Sequence, residues 1–247
     1  MVTNAREGIT VIASLHIHEA RPSDALRALL RGRVSRVPGV IAGDVVLVAR
    51  LSEHLLPRPD HHRIGAFAFW SHEDALDRFL EEHAAGSMLA GGWQMRMQPT
   101  RMVGSWPGLG TLAGHELPMD MDEPAAGLTL GQLRPSQLVR FLRASARAER
   151  DALSDGAMLA STGLARPPRM VATFSIWRSL AGLRDYIGGA GADGHRRAVQ
   201  SHVGEPFHRE SAFVRMRPLS VSGDAPWWPG LEGRVLTAKP VDVPSPA

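Results

Sequence analysis

The sequence predicts an α+β fold made of two tandem ferredoxin-like βαββαβ repeats, packed together as an α/β-barrel-type sheet sandwich. Three observations lead there. Strand and helix patterns alternate along the chain. Short motifs recur in the same order in each half. A βαββαβ unit carries its helices on one sheet face only, so the other face needs a second unit to cover it. Arg-Pro-Ser stands at 21–23 and again at 134–136. Phe67-Ala-Phe-Trp70, followed by Leu76 and Phe79-Leu80, matches Phe174-Ser-Ile-Trp177, followed by Leu183 and Tyr186-Ile187. Arg96-Met-Gln-Pro99 matches Arg215-Met-Arg-Pro218.

Each element has a local reason. Residues 9–17 (ITVIASLHI) are β-branched and apolar, which reads as a strand. Arg21-Pro22-Ser23 opens a helix with Ser23 as its N-cap, and Ala25, Leu26, Leu29 and Leu30 share one face. Pro38-Gly39 breaks the chain before strands at 40–51 and 63–70. A helix over 74–83 turns Leu76, Phe79 and Leu80 inward, and 93–103 is a fourth strand. Glycine, proline and acidic residues then mark a linker. In the second half, strands are expected at 128–133, 157–161, 170–177 and 211–219. Helices are expected from Arg134-Pro-Ser136 to about residue 153 and from Leu180 to Ile187, with a restart near His195. The domains are therefore 1–106, a linker over 107–126, a second repeat over 127–223 and a tail over 224–247 rich in proline and tryptophan.

Composition excludes several chemistries. The 247 residues carry a formal charge of only +3, yet the pI is about 10.4. Lys239 is the single lysine and Tyr186 the single tyrosine, and there is no cysteine, so almost nothing titrates between histidine and arginine. The high pI is a counting effect and names no nucleic-acid partner. The absence of cysteine removes disulfides, thiolate metal sites, iron–sulfur clusters and a thiolate-ligated haem. No apolar run approaches the roughly 20 residues of a membrane span, and no signal peptide is read at the start, so a cytoplasmic location is expected.

Few residues stand out for chemistry. Gly189-Ala-Gly-Ala-Asp-Gly194 spells GxGxxG but follows a helical pattern, so it reads as a helix break rather than a dinucleotide loop. His195 opens the first turn after that break, with Val199 and His202 on its face; such a histidine is either structural or projects into a cavity. His16 and His18 alternate with apolar residues and read as a polar strand face, and His61-His62 as a solvated turn. Glu116, Asp120, Asp122 and Glu123 lack calcium-loop spacing and read as linker solvation. Met88, Met95, Met97 and Met102 read as core filler.

Taken together, these residues resemble the spheroidene monooxygenase family of haem-dependent carotenoid oxygenases. The segments that carry the resemblance are Thr173-Phe-Ser-Ile-Trp177, Gly189-Ala-Gly191 with His195, and Glu210 with Arg215. The first half adds Pro57-Arg-Pro-Asp60 with His62, Trp70, and Gln98-Pro-Thr100 with Gly104 and Trp106. The match runs over most of 55–220 and departs from the family pattern at Leu51-Ser-Glu-His-Leu-Leu56. The resemblance implies a dimeric α/β-barrel protein that binds haem b through His195 and oxidises an apolar, carotenoid-like substrate or secondary metabolite. It implies that Trp177, Phe174 and Phe213 line the cofactor pocket. Arg215 would point into the same cavity or pair with a haem propionate, or else be a surface strand arginine. The electron donor is left open, and a homodimer is compatible with the fold. Two other readings stay open. One is direct nitrogen-substrate chemistry at haem, such as oxime dehydration or N–N bond formation. The other is a non-enzymatic haem or apolar-ligand binding protein.

Overall fold

A computed structural model describes residues 11–32, 34–50, 58–114, 116–137, 140, 141, 143, 156–168, 170–188, 206–225, 227 and 228. Eight strands are described: β1 (Ile12–Glu19), β2 (Val40–Arg50), β3 (Arg58–Trp70), β4 (Trp93–Gly104), β5 (Ala125–Leu133), β6 (Met158–Arg166), β7 (Met170–Trp177) and β8 (His208–Ser222). The helices with described bounds are α1 (Pro22–Arg31), α2 (Glu73–Glu82), α3 (Ala84–Ala90) and α4 (Leu180–Gly188), and residues 140, 141 and 143 are also helical. The helix starts are local events. Pro22 occupies the first turn of α1 behind Arg21, so Ser23 lies inside the helix rather than at its cap. His72 caps α2 by accepting the Ala75 N–H on Nδ1 at 3.1 Å, and His83 does the same for Ala85 in α3 at 3.2 Å.

The strands close into one antiparallel barrel in the order β1-β3-β2-β6-β7-β5-β8-β4. Each half contributes four adjacent strands, and the order within a half is the same. This differs from a sandwich of two facing sheets, because both seams are hydrogen-bonded ladders. One seam is long, running from Gln94↔Ser222 to Gly104↔Ala212 between β4 and β8. The other is short, pairing Leu47, Val48 and Ala49 with Ala165, Leu164 and Gly163. Side chains staple the short seam: Thr162 Oγ1 donates to the Ala49 carbonyl at 2.9 Å, and Arg166 reaches Asp44 at 3.0 Å. Closure removes every exposed strand edge.

Alternation sends one face of every strand into the barrel. Leu15, Val46, Phe67, Met95, Met97, Leu128, Leu130, Leu164, Phe174, Ile176, Val214 and Met216 fill that interior. The remaining void there has about the size of a water molecule. Met95, Met97 and Met102 are core residues, as their pattern suggests.

The segments read as linker and tail take part in the same core. Leu109 and Leu112 are buried in the same apolar cluster as Met102, whose backbone bridges to Ala113. Trp228 packs edge-on against Trp93 at the first residue of β4, with centroids 4.9 Å apart. The segment between β4 and β5 is also held from outside. Arg217, 2% exposed, donates Nε to Glu123 at 3.0 Å, one Nη to Gln98 at 3.0 Å and the other to the Pro118 carbonyl at 2.7 Å. Glu116 and Glu123 are thus ion-pair partners of β8 arginines rather than solvated linker acids. Removing one member of such a buried pair leaves the other without compensation. Arg217→Ala is expected to lower stability by about 3 kcal/mol, read as a shift in the urea midpoint at unchanged slope.

Candidate functional site

Barrel closure uses the inner face of each strand, so any site for a large ligand has to sit outside. The two halves treat their outer faces differently. In the first half, Ile12, Val45, Ile64, Ala66, Ala68 and Trp70 are covered by Ala25 of α1, Ala75, Leu76 and Phe79 of α2, and Leu89 of α3. His16, at the centre of β1, is 1% exposed beneath this cover. It is not the polar strand face its alternation suggests. Neither ring nitrogen has a hydrogen-bond partner among the described residues, and the same holds for Oε1 of Gln94, its cross-strand neighbour. Burial, followed by the charge of Arg96, lowers the His16 pKa to about 4.

In the second half, α4 covers one end of the sheet. Leu180 and Leu183 pack on Ala125 and Trp177, with Tyr186 and Phe213 partly buried beside them. Trp177 donates Nε1 to Ser175 Oγ at 2.8 Å and lies 4.9 Å from the Tyr186 ring. Beyond α4 the outward residues form three rows across β6, β7, β5 and β8. These are Ser161–Ser175–Gly127–Arg215, then Gly163–Thr173–Thr129–Phe213, then Ala165–Val171–Gly131–Ser211. Most are small, so the floor is shallow. Thr129, in the middle of the sheet, is exposed. It stands as many residues ahead of Arg134-Pro-Ser as His16 stands ahead of Arg21-Pro-Ser. These two central positions therefore differ in exposure, His16 being buried and Thr129 exposed.

The expected site residues separate on this geometry. Trp177 and Phe213 meet at the α4 end of the floor. Phe174 does not join them, because its side chain lies inside the barrel beside Leu128, Met97 and Met216. Residues 174 and 177 of a strand face opposite ways. Arg215 is on the outer face next to Gly127, but its hydrogen bonds run to β4 and the connecting segment: Nε donates to Thr100 Oγ1 at 3.0 Å, and Nη2 donates to Glu116 at 3.4 Å and to the Leu117 carbonyl at 3.3 Å. Glu210 is half-buried in β8 with Oε2 unpartnered. His195 and the GxGxxG string lie outside the described residues. Thr129, Gly127 and Gly131 were not singled out by sequence, since a threonine between glycines carries no chemical signal of its own.

The glycines at 127 and 131 seat the rings of Phe213 and His208, which lie directly over them, and Trp177 and Tyr186 wall the α4 end. No group of three metal-ligating side chains occurs among the described residues. A haem held by one histidine does not need such a group.

No family model matches the chain. Over 173 residues, 67% of this chain, the sequence is 34% identical to spheroidene monooxygenase of Rubrivivax gelatinosus. The chain is a relative of spheroidene monooxygenase. It spans 64% of that protein's length. Two solved aldoxime dehydratase structures, one in complex with butyraldoxime, superpose with TM-scores of 0.52 at 9% and 13% identity. They cover 86% of this chain and 79% and 81% of theirs, a likeness of fold alone.

Two outcomes test the contrast between the faces. An unfolded histidine takes up a proton near pH 6.5, whereas folded His16 does so only near 4. Stability is then full above pH 6.5 and falls as pH drops from 6.5 towards 4, by on the order of 3 kcal/mol. His16→Leu is expected to lack that component when unfolding is measured across pH 4–8. Thr129→Trp, on an exposed position, should change stability by less than about 0.5 kcal/mol. Trp177→Ala should cost about 3–5 kcal/mol in the same assay.

Proposed function

We propose that the chain is a haem-dependent monooxygenase whose cofactor lies against the open outer face of β5, β7 and β8 and whose substrate is apolar and carotenoid-like. The observation that carries this is the exposed Thr129 floor in a relative of spheroidene monooxygenase. When bound, haem would supply the activation of O2 or peroxide that no side chain of this cysteine-free chain provides. Trp177, Tyr186 and Phe213 would exclude water at one end of the face. His195, by its place in the matching motif, is the proposed axial ligand. We also read the barrel as two fused copies of one unit, so a homodimer is not needed to close it.

Ferric haem added to the purified chain should give a Soret band that shifts on binding. His195→Ala should lose the histidine-ligated spectrum, and Thr129→Trp should weaken binding by at least about tenfold. Reconstituted protein should then consume O2 while oxidising a carotenoid such as spheroidene. No Soret change in the wild type overturns the cofactor assignment. An unchanged spectrum in His195→Ala overturns the ligand. Turnover that is independent of both O2 and peroxide overturns the monooxygenase reading in favour of direct substrate chemistry at haem.

A further inference from the structure

The apolar stripe of α1 divides when the helix folds. Ala25, Ala28 and Leu29 turn inward and pack against the outer face of the first half. Leu26 and Leu30, one turn apart on the same side of the helix, stay in solvent at 55% and 68% exposure. Among the described residues they are the two most exposed large apolar side chains. Arginines surround them. Residues 21–36 hold five arginines and one acid, Asp24. Arg21, Arg27 and Arg36 are exposed. Arg36 ends the short 3-10 turn Val34–Arg36 that follows α1, and buried Val34 anchors that turn. Asp24 is already engaged by Arg27 at 2.9 Å, so the segment keeps an excess of positive charge around its two leucines. No described helix is long and apolar enough to cross a membrane, so these residues would meet a bilayer from its surface.

We infer that α1 and the turn after it dock the protein on an anionic lipid surface, with Leu26 and Leu30 entering the interface and Arg21, Arg27 and Arg36 meeting lipid phosphates. Two other occupants fit less well. A second copy in a two-fold contact would set the same arginines against one another, and two leucines fall far short of the roughly 800 Å² per partner of a stable interface. A nucleic acid matches the arginines but gives the leucines no apolar phase. A bilayer with acidic headgroups answers both features: its acyl boundary takes the leucines and its phosphates take the guanidinium groups. α1 is folded and anchored through Ala25, so docking orders no new segment. A bilayer is also where an apolar, carotenoid-like substrate dissolves, and that link alone rests on the function proposed above.

The test sediments the full chain with vesicles and reads neither haem nor turnover, so its failure is separate from failure of the cofactor reading. The wild type should bind vesicles of equal parts phosphatidylcholine and phosphatidylglycerol, and bind pure phosphatidylcholine at least about tenfold more weakly. High salt should weaken the anionic binding. Leu26→Ser/Leu30→Ser and Arg27→Glu/Arg36→Glu should each weaken it by at least about tenfold, whereas Arg27→Lys/Arg36→Lys should retain it. All four positions are exposed, so the urea midpoints of these variants should stay close to that of the wild type. No sedimentation of the wild type with anionic vesicles overturns the inference, as does equal binding to neutral and anionic vesicles. Binding lost with the arginine reversal but kept with the leucine pair assigns the patch to a polyanion and overturns the lipid assignment. A wild-type dimer that Leu26→Ser/Leu30→Ser converts to monomer assigns the patch to a second copy and overturns it as well.

Discussion

Closing eight antiparallel strands into one barrel commits one face of every strand to a shared apolar interior. The rest of the molecule follows from that commitment. The interior is filled by Leu15, Phe67, Phe174, Val214, Met216 and their neighbours, so it holds no large ligand. The outer faces are then the only broad sheet surfaces left, and each half needs its own cover. The first half has it in α1, α2 and α3, whose apolar faces press His16 into a site without hydrogen-bond partners among the described residues. Among the described residues, the second half has α4 at one end and Phe141 against His208 at the other, with Thr129 exposed between them. One barrel thus carries a buried central position on one outer face, His16, and an exposed one on the other, Thr129.

The charges repeat that asymmetry. On the sealed side, Arg96 is held between two acids of its covering helix. On the other, Arg217 and Arg215 reach across β4 to the segment that links the halves, with Glu123 and Glu116 as partners. Arg217 is fully engaged by Glu123, Gln98 and Pro118, so it fastens the connection. Arg215 shares Glu116 with Arg101 and is bonded to Thr100 and Leu117 as well. Both arginines fasten the fold.

Much of the fold was readable from the chain because it rests on local patterns. Six of the eight strands fall within a few residues of their observed places, β6 runs on to Arg166 rather than ending at 161, and the recurring motifs mark positions that correspond in strand order. β3 starts at Arg58 rather than 63, because residues next to proline favour extended backbone and Pro59 pairs with Ala49. The rest depends on contacts between distant segments. Leu109 and Leu112 look like linker residues among glycines until Met102 is brought against them. His16 looks like a polar face until α2 and α3 cover it. Thr129 is unremarkable in sequence, and its exposure shows only in the folded chain. Phe174 is the exception, since strand parity alone already separates it from Trp177. The relation to spheroidene monooxygenase was carried by motifs, and similarity over 173 residues supports it.

The central claim is that equivalent faces of one barrel differ in access and that the open one receives the ligand. The chain has no cysteine, so a single introduced thiol reports on its own position. Thr129→Cys and His16→Cys can be labelled with a maleimide, each with and without ferric haem. The account predicts that the thiol at 129 reacts freely and is protected by haem. It predicts that the thiol at 16 reacts only as fast as the protein unfolds, with haem slowing it no more than it slows unfolding. Equal labelling at the two positions, or haem protection at 16 but not at 129, would contradict it.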